Sequence, residues 1–240
     1  MGLTPHGSDP GKNRGMEITF PQRFRGPLAS ANGGYACGRL AAYVDAEEVE
    51  VTLRLSPPLD RPLQVVRDAG VATLFDGEAV VAEARPASVE ADAPDAVSFA
   101  DAEAAVARHV RVGNEDFREC FVCGIREDGD GLGIYAGPVT GREPLHAAPW
   151  TVHESAPEIV WAAIDCPGAY ALGLEGRGET VLGRMAARVL RMPDVGARCV
   201  VVSWPLGEDG RKLFAGTALF AEDGELLAHG RQTWIAPRSS

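Results

Sequence analysis

An internal repeat is the feature that most constrains the fold of this 240-residue chain. Residues 72–85 and 217–231 share one pattern: an apolar strand ending in Leu-Phe, an acidic residue followed by glycine, and a second apolar strand. Asp76-Gly77 is a typical hairpin turn between such strands. A duplication of this kind predicts two structurally similar halves.

Each hairpin is preceded by a segment that is apolar on nearly every side. These segments, residues 30–44 and 157–172, are predicted to be buried helices, the first capped by Ser30 or Asn32. Strand patterns follow at 49–55, 63–68, 71–75 and 79–84 in one half, and at 131–135, 180–192, 198–204, 212–221 and 225–235 in the other. We therefore expect an α+β fold with two antiparallel sheets, each wrapped around one buried helix.

Composition places the boundaries of these halves. Residues 1–15 are polar and rich in Gly and Pro, which predicts a disordered tail, and 91–116 are rich in Ala, Asp, Glu and Pro, which predicts a linker with a short surface helix near 101–110. The halves are then 16–90 and 117–236.

Charge and apolar patterning exclude several functions. A net charge of −11 argues against nucleic-acid binding, and no run approaches the roughly 20 apolar residues that span a bilayer. Without a signal-peptide pattern, we expect a cytoplasmic protein. Its five cysteines are then expected to be free thiols.

One helix followed by four or five antiparallel strands, repeated once, resembles a double hotdog. The Asn32-Gly33-Gly34 segment resembles the His-Gly-Gly signature at the helix start of phenylacetyl-CoA-type hotdog thioesterases, with Asn in place of His. Ala41 stands where that family has a carboxylate, but in the second half Asp165 falls on the carboxylate position. The resemblance implies one composite site, with Gly33 and Gly34 from one half and Asp165 from the other.

The last strand resembles the acyl-CoA thioesterase II family, in which a catalytic glutamine falls on Gln232 and the carboxylate again falls on Asp165. The Ser/Thr partner of that family is replaced by Ala186, Ala187 or Arg188. Both resemblances imply hydrolysis of an acyl-CoA or other small thioester by an activated water, without a cofactor.

The residues themselves allow two interpretations at each position. Asp165 is the one charge between Ile159 and Leu172, so burial would raise its pKa and suit a general base, or it caps a helical turn before Pro167. The N–H groups of Gly33 and Gly34 suit an oxyanion, or the glycines allow close packing. Asn32 is either a helix cap or a substrate contact.

Two further side chains are also ambiguous. Gln232 shares a strand face with Ala228, Gly230 and Trp234, where it either orients the reactants or is a satisfied core residue. Arg188 either binds the phosphates of coenzyme A or is a solvated surface charge.

Cys120 and Cys123 have the spacing of a zinc knuckle. A zinc site would need two further ligands, for which His146, His153 and Cys166 are the candidates. Otherwise the pair is the buried start of the second half, and we assign no metal ligand on this pattern alone.

The sequence thus predicts an acyl-CoA thioesterase. Two alternatives remain open: a non-catalytic acyl or acyl-CoA binding protein, and an assembly protein that forms homo-oligomers through its sheets.

Overall fold

A computed structural model describes residues 15–90, 92–111, 115–127, 129–174 and 180–237. The predicted disordered tail therefore lies, except for Gly15, outside the described residues. None of the described helices is long and apolar enough to cross a membrane.

The described strands form one antiparallel sheet of eleven. The strands of the first half are β1 Met16–Ile18, β2 Glu48–Leu53, β3 Leu63–Asp68, β4 Val71–Asp76 and β5 Ala79–Pro86. Those of the second half are β6 Gly137–Pro138, β7 His146–Thr151, β8 Val181–Val189, β9 Arg198–Asp209, β10 Lys212–Ala221 and β11 Leu226–Ile235. Their order in the sheet is β1-β3-β4-β5-β2-β8-β11-β10-β9-β7-β6.

The sequence predicts two sheets, and the structure joins them through one strand pair. β2 pairs with β8, with Val49 opposite Ala187 and Val51 opposite Met185. This pairing satisfies two strand edges that separate sheets would leave open. β4 and β5 form one hairpin and β10 and β11 form another, at the two places where the sequence pattern recurs.

Within the described part of the chain, four α-helices pack on this sheet, and their bounds are α1 Gly33–Ala41, α2 Phe99–Val106, α3 Pro157–Ala163 and α4 Cys166–Ala171. α1 contacts β2 and β5 in the first half, and α4 contacts β9 and β10 in the second. α1 also packs against α3, and one hydrophobic core runs through both halves.

The segment predicted as a linker contributes to the core of the second half. Ala102 and Ala105 of α2 are fully buried, and α2 packs against β7 and β9. Val200 and Val202 of β9 belong, with these two alanines, to a second and smaller hydrophobic cluster. Alternate residues of β9 belong to the main core on the side of α4. β9 is apolar at consecutive positions because helices cover both of its faces.

Candidate functional site

Asn32 begins α1 and orients the residues around it. Its side-chain Oδ1 accepts a hydrogen bond from the backbone N–H of Tyr35 at 2.9 Å, which makes it the N-cap of the helix. Since Oδ1 is used in the cap, the amide Nδ2 faces the other way, toward Asp165 and the cysteines. The sequence offered a helix cap and a substrate contact as alternatives: Asn32 is the cap, its Nδ2 contacts Asp165, and a contact with substrate stays a prediction.

Asp165 lies at a break between two helices. The sequence predicts one helix over 157–172, whereas α3 ends at Ala163 and α4 begins at Cys166. Pro167 favours this break because it has no N–H to continue the α3 hydrogen-bond pattern. The Asp165 side chain makes no capping hydrogen bond to α4. It extends instead to the start of α1 in the other half.

One carboxylate oxygen of Asp165 joins the two halves. Oδ2 accepts hydrogen bonds from the backbone N–H of Gly34 and from Asn32 Nδ2, both at 2.9 Å. The other oxygen, Oδ1, is buried and has no hydrogen-bond partner within the described chain. The residue is only 2% exposed.

The environment of Asp165 disfavours its charged form. Burial raises the pKa of this carboxyl to about 7, the nearby Cys120 adds to the rise, and the hydrogen bonds from Gly34 and Asn32 oppose it. A carboxyl with a pKa near neutrality can both hold and accept a proton at physiological pH.

The two glycines of α1 have different surroundings. A Cβ on Gly34 would lie 2.4 Å from Asp165 Cβ and 2.6 Å from the Trp161 carbonyl, so this position requires glycine for packing. Gly34 N–H is already bound to Asp165. Gly33 N–H, which has no acceptor within the helix because it is in the first turn, donates to no described residue.

A pocket of about 360 Å³ opens beside these groups, between the two halves. Asn32, Gly33 and Asp165 line it, and Cys120 joins them. Its apolar wall comes from both halves and includes Leu53, Pro57, Val181, Leu182, Trp234 and Ile235. Gly34, Gln232 and Arg188 are not among the described residues that line it.

Gln232 supports the helix break from the sheet below. Its Nε2 donates to the carbonyls of Ile164 at 2.6 Å and Asp165 at 2.9 Å, and its Oε1 accepts from Trp234 Nε1 at 2.7 Å. The amide occupies space that Gly168 leaves, because a Cβ there would lie 1.8 Å from Oε1. Gln232 thus contacts the Asp165 backbone, and a catalytic role for it stays a prediction.

Arg188 lies on β8 where the halves join. Its guanidinium pairs with Glu47 at 2.6 Å and with Glu48 at 3.0 Å. Binding of a coenzyme A phosphate by Arg188 stays a prediction, and it would require these ion pairs to open.

Cys120 is a pocket residue that the functional prediction did not include. Its Sγ lies 3.9 Å from Asn32 Nδ2, and Cys166 Sγ lies 3.7 Å from the same atom. The signals were present in the sequence: Cys120 belongs to the Cys-x-x-Cys pair, and Cys166 directly follows Asp165. Sequence alone does not show that these segments, 46 residues apart, meet.

No family model matches the chain, and no curated protein matches its sequence. Its structure, however, is similar to several solved ones. A candidate thioesterase from Novosphingobium aromaticivorans has a TM-score of 0.64 at 12% identity, covering 92% of this chain and 95% of that one. An acyl-CoA thioesterase II from Mycobacterium marinum has a TM-score of 0.60 at 12% identity, covering 93% of each chain.

The dehydratase domain of a mycocerosic acid synthase-like polyketide synthase is also similar. It has a TM-score of 0.58 at 19% identity, covering 100% of this chain and 99% of that domain. At these identities the likeness shows a shared fold. A further similar structure, from Alicyclobacillus acidocaldarius, is described as having a hotdog fold, which identifies the shared fold. The chain therefore has a hotdog fold of the kind found in thioesterase structures.

Proposed function

We propose that this protein hydrolyses an acyl-CoA or another small thioester in the pocket between its halves, with Asp165 as the general base. The observation that carries the proposal is the state of the Asp165 carboxylate. One oxygen is held by the α1 N-terminus of the other half, and the second is buried without a partner beside a pocket. A buried polar atom without a partner is costly, which favours a site that water or substrate completes.

The chemistry follows from that arrangement. Asp165 Oδ1 takes a proton from a water molecule as the water oxygen attacks the thioester carbonyl carbon. The carbonyl electrons move onto oxygen, and their return expels the thiolate, which takes up a proton. The products are a carboxylic acid and a free thiol.

The two glycines then have separate roles. Gly33 N–H lies at the pocket and is unbound within the described structure, so it is the group we assign to the developing oxyanion. Gly34 N–H holds the base in place. The positive end of the α1 dipole stabilises negative charge at both positions.

The hotdog neighbours support this proposal at the level of fold. We infer that each half, 16–90 and 117–236, is one hotdog unit, and that fusion of two units leaves one composite site. The dehydratase neighbour shows that the fold accommodates other reactions. The described pocket lining contains a carboxylate and no histidine, whereas the hydratase signature of hotdog proteins combines Asp with His.

A second candidate function is non-catalytic acyl or acyl-CoA binding. It is favoured by Gln232, whose Nε2 is used in holding the backbone and whose Oε1 is bound to the Trp234 side chain. It is also favoured by the absence of a Ser or Thr at the position where the acyl-CoA thioesterase II family has one, which falls on Ala186, Ala187 or Arg188.

Thiol release from short, long and aromatic acyl-CoAs tests both functions. We expect hydrolysis by the wild type, a loss of about 10²–10⁴-fold in kcat for Asp165→Asn, and no change for Asp194→Asn, an exposed matched control. Hydrolysis that Asp165→Asn leaves intact would remove the proposed base. Saturable acyl-CoA binding without any hydrolysis by the wild type would establish the binding function.

A further inference from the structure

Three buried cysteines meet beneath the start of α1. Cys120 and Cys123 come from the loop that begins the second half, and Cys166 is the first residue of α4. Their three Sγ atoms all lie within 4.8 Å of one another, and none is in a disulfide. The loop and the helix break at Asp165 thus meet at these sulfur atoms.

The spacing suits a shared metal ion. Cys120 Sγ and Cys166 Sγ are 3.7 Å apart. Two thiolates bound tetrahedrally to zinc at about 2.3 Å are about 3.8 Å apart, whereas disulfide sulfurs are about 2.05 Å apart. Two thiols in van der Waals contact have a similar separation, so the polar groups around the sulfurs decide between the alternatives.

The loop around Cys120 forms a tight turn. Gly124 N–H donates to the Cys120 carbonyl at 2.8 Å, and a Cβ on Gly124 would lie 2.3 Å from Cys120 N. The turn holds Cys120 and Cys123 so that both sulfurs lie within 4.8 Å of Cys166 Sγ, an arrangement in which one metal ion can replace the thiol protons.

Asn32 supplies further donors to the sulfurs. Its Nδ2, oriented by the helix cap, lies 3.7 Å from Cys166 Sγ and 3.9 Å from Cys120 Sγ. Donors of this kind orient and stabilise metal-bound thiolates. They are neutral, so a divalent cation is the group that would offset most of the charge that binding as thiolates brings beside Asp165.

We propose that Cys120, Cys123 and Cys166 bind one zinc ion. Three thiolates occupy three positions of the tetrahedral coordination that zinc prefers, and water takes the fourth. Zinc is preferred to harder divalent cations because all three ligands are soft sulfur atoms. The ion links the start of the second half to the helix break that carries Asp165.

Metal analysis of the purified protein tests the site directly. The full chain is produced in zinc-supplemented medium, purified under reducing conditions with its affinity tag removed, and analysed for metals by mass spectrometry. We expect one zinc per chain in the wild type and in Cys199→Ser, a buried cysteine of β9 outside the cluster. Cys123→Ser and Cys166→Ser are expected to lose the metal.

A second measurement covers variants that do not fold. Zinc is removed from the wild type with a chelator and replaced by Co²⁺, which we expect to give the thiolate charge-transfer and intense visible bands of a tetrahedral sulfur site. Zinc is also expected to protect three thiols from alkylation. A wild type with no zinc and no cobalt–thiolate bands, zinc retained in Cys166→Ser, or a Cys120–Cys166 disulfide in the reduced preparation would each overturn the proposal. Metal content is independent of thioester hydrolysis, so failure of one proposal is distinguishable from failure of the other.

Discussion

Asn32 and Asp165 are 133 residues apart in sequence and are joined by a hydrogen bond of 2.9 Å between the first half and the second. The same Asn32 side chain caps α1 through its other atom. The helix start and the candidate base are therefore positioned by one amide group, and the two contacts can be separated by substitution.

Asn32→Ser is expected to retain a helix cap and to lose the donor to Asp165, because a serine side chain is too short to supply an amide N–H there. We expect hydrolysis to fall about tenfold or more and stability to fall by about 1–3 kcal/mol, because a buried carboxylate oxygen loses one of its two donors. Asn32→Ala also removes the cap and should cost about 1 kcal/mol more in the free energy of unfolding. Urea unfolding and thiol release measure both, and equal activity in Asn32→Ser and wild type would contradict the assigned contact.

Gly34→Ala is expected to destabilise the protein by about 1–3 kcal/mol or more, since its Cβ would meet Asp165 Cβ and the Trp161 carbonyl at 2.4 and 2.6 Å. Gly33→Ala is the matched comparison. Its Cβ would meet the end of the Leu182 side chain at 2.9 Å, which can move aside. Thermal unfolding should therefore rank Gly34→Ala below Gly33→Ala, and the reverse order would contradict the packing described for α1.

Local pattern was sufficient to predict much of this architecture. The cap at Asn32, the hairpin at Asp76-Gly77 and the strands of both hairpins depend on neighbouring residues, and each appears in the structure. The duplication itself stays a prediction. Proximity of Gly34 to Asp165 was also predicted, because the resemblance to fused hotdogs supplied a three-dimensional arrangement. The roles of these residues, in contrast, stay predictions.

The structural features that the sequence did not predict are those that depend on contacts between distant parts of the chain. β7, His146–Thr151, contains two alanines and a proline and has no strand signature, yet β9 pairs with it. The strand expected at 131–135 is absent from the described part, and a short strand follows at Gly137–Pro138. The pairing of β2 with β8 and the approach of Cys166 to Cys120 also depend on tertiary contacts.

Gln232→Ala separates support of the backbone from direct catalysis. The substitution leaves the carbonyls of Ile164 and Asp165 without their donor, and we expect a loss of about 1–3 kcal/mol in stability. If Gln232 acts by positioning the Asp165 backbone, kcat falls while KM changes little, and Gln232→Glu, which cannot donate when ionised, shows the same defect. Full stability in Gln232→Ala would contradict the supporting contacts.

Arg188→Ala tests whether this arginine binds the phosphates of coenzyme A. If it does, KM for an acyl-CoA should rise about tenfold, while KM for the matching acyl-pantetheine, which lacks the nucleotide, stays constant. Arg191→Ala is the control. Arg191 follows β8 in the sequence and, like Arg188, is held in an ion pair, with Glu225 at 2.6 Å. An unchanged KM for both substrates would leave Arg188 as the ion-pair partner of Glu47 and Glu48 only.

His229 on β11 predicts how stability depends on pH. Burial lowers its pKa from the usual 6.5, and the nearby Arg188 lowers it further, while Glu48 opposes the shift. The unfolded chain therefore binds a proton at His229 more readily than the folded protein, so this residue reduces stability as pH falls below about 6.5 and has no such effect above it.

The Nδ1 atom of His229 is buried without a partner among the described residues. We expect His229→Leu to lose less stability than the wild type between pH values of about 7.5 and 5.5 in urea unfolding. Equal losses in His229→Leu and the wild type would contradict this assignment.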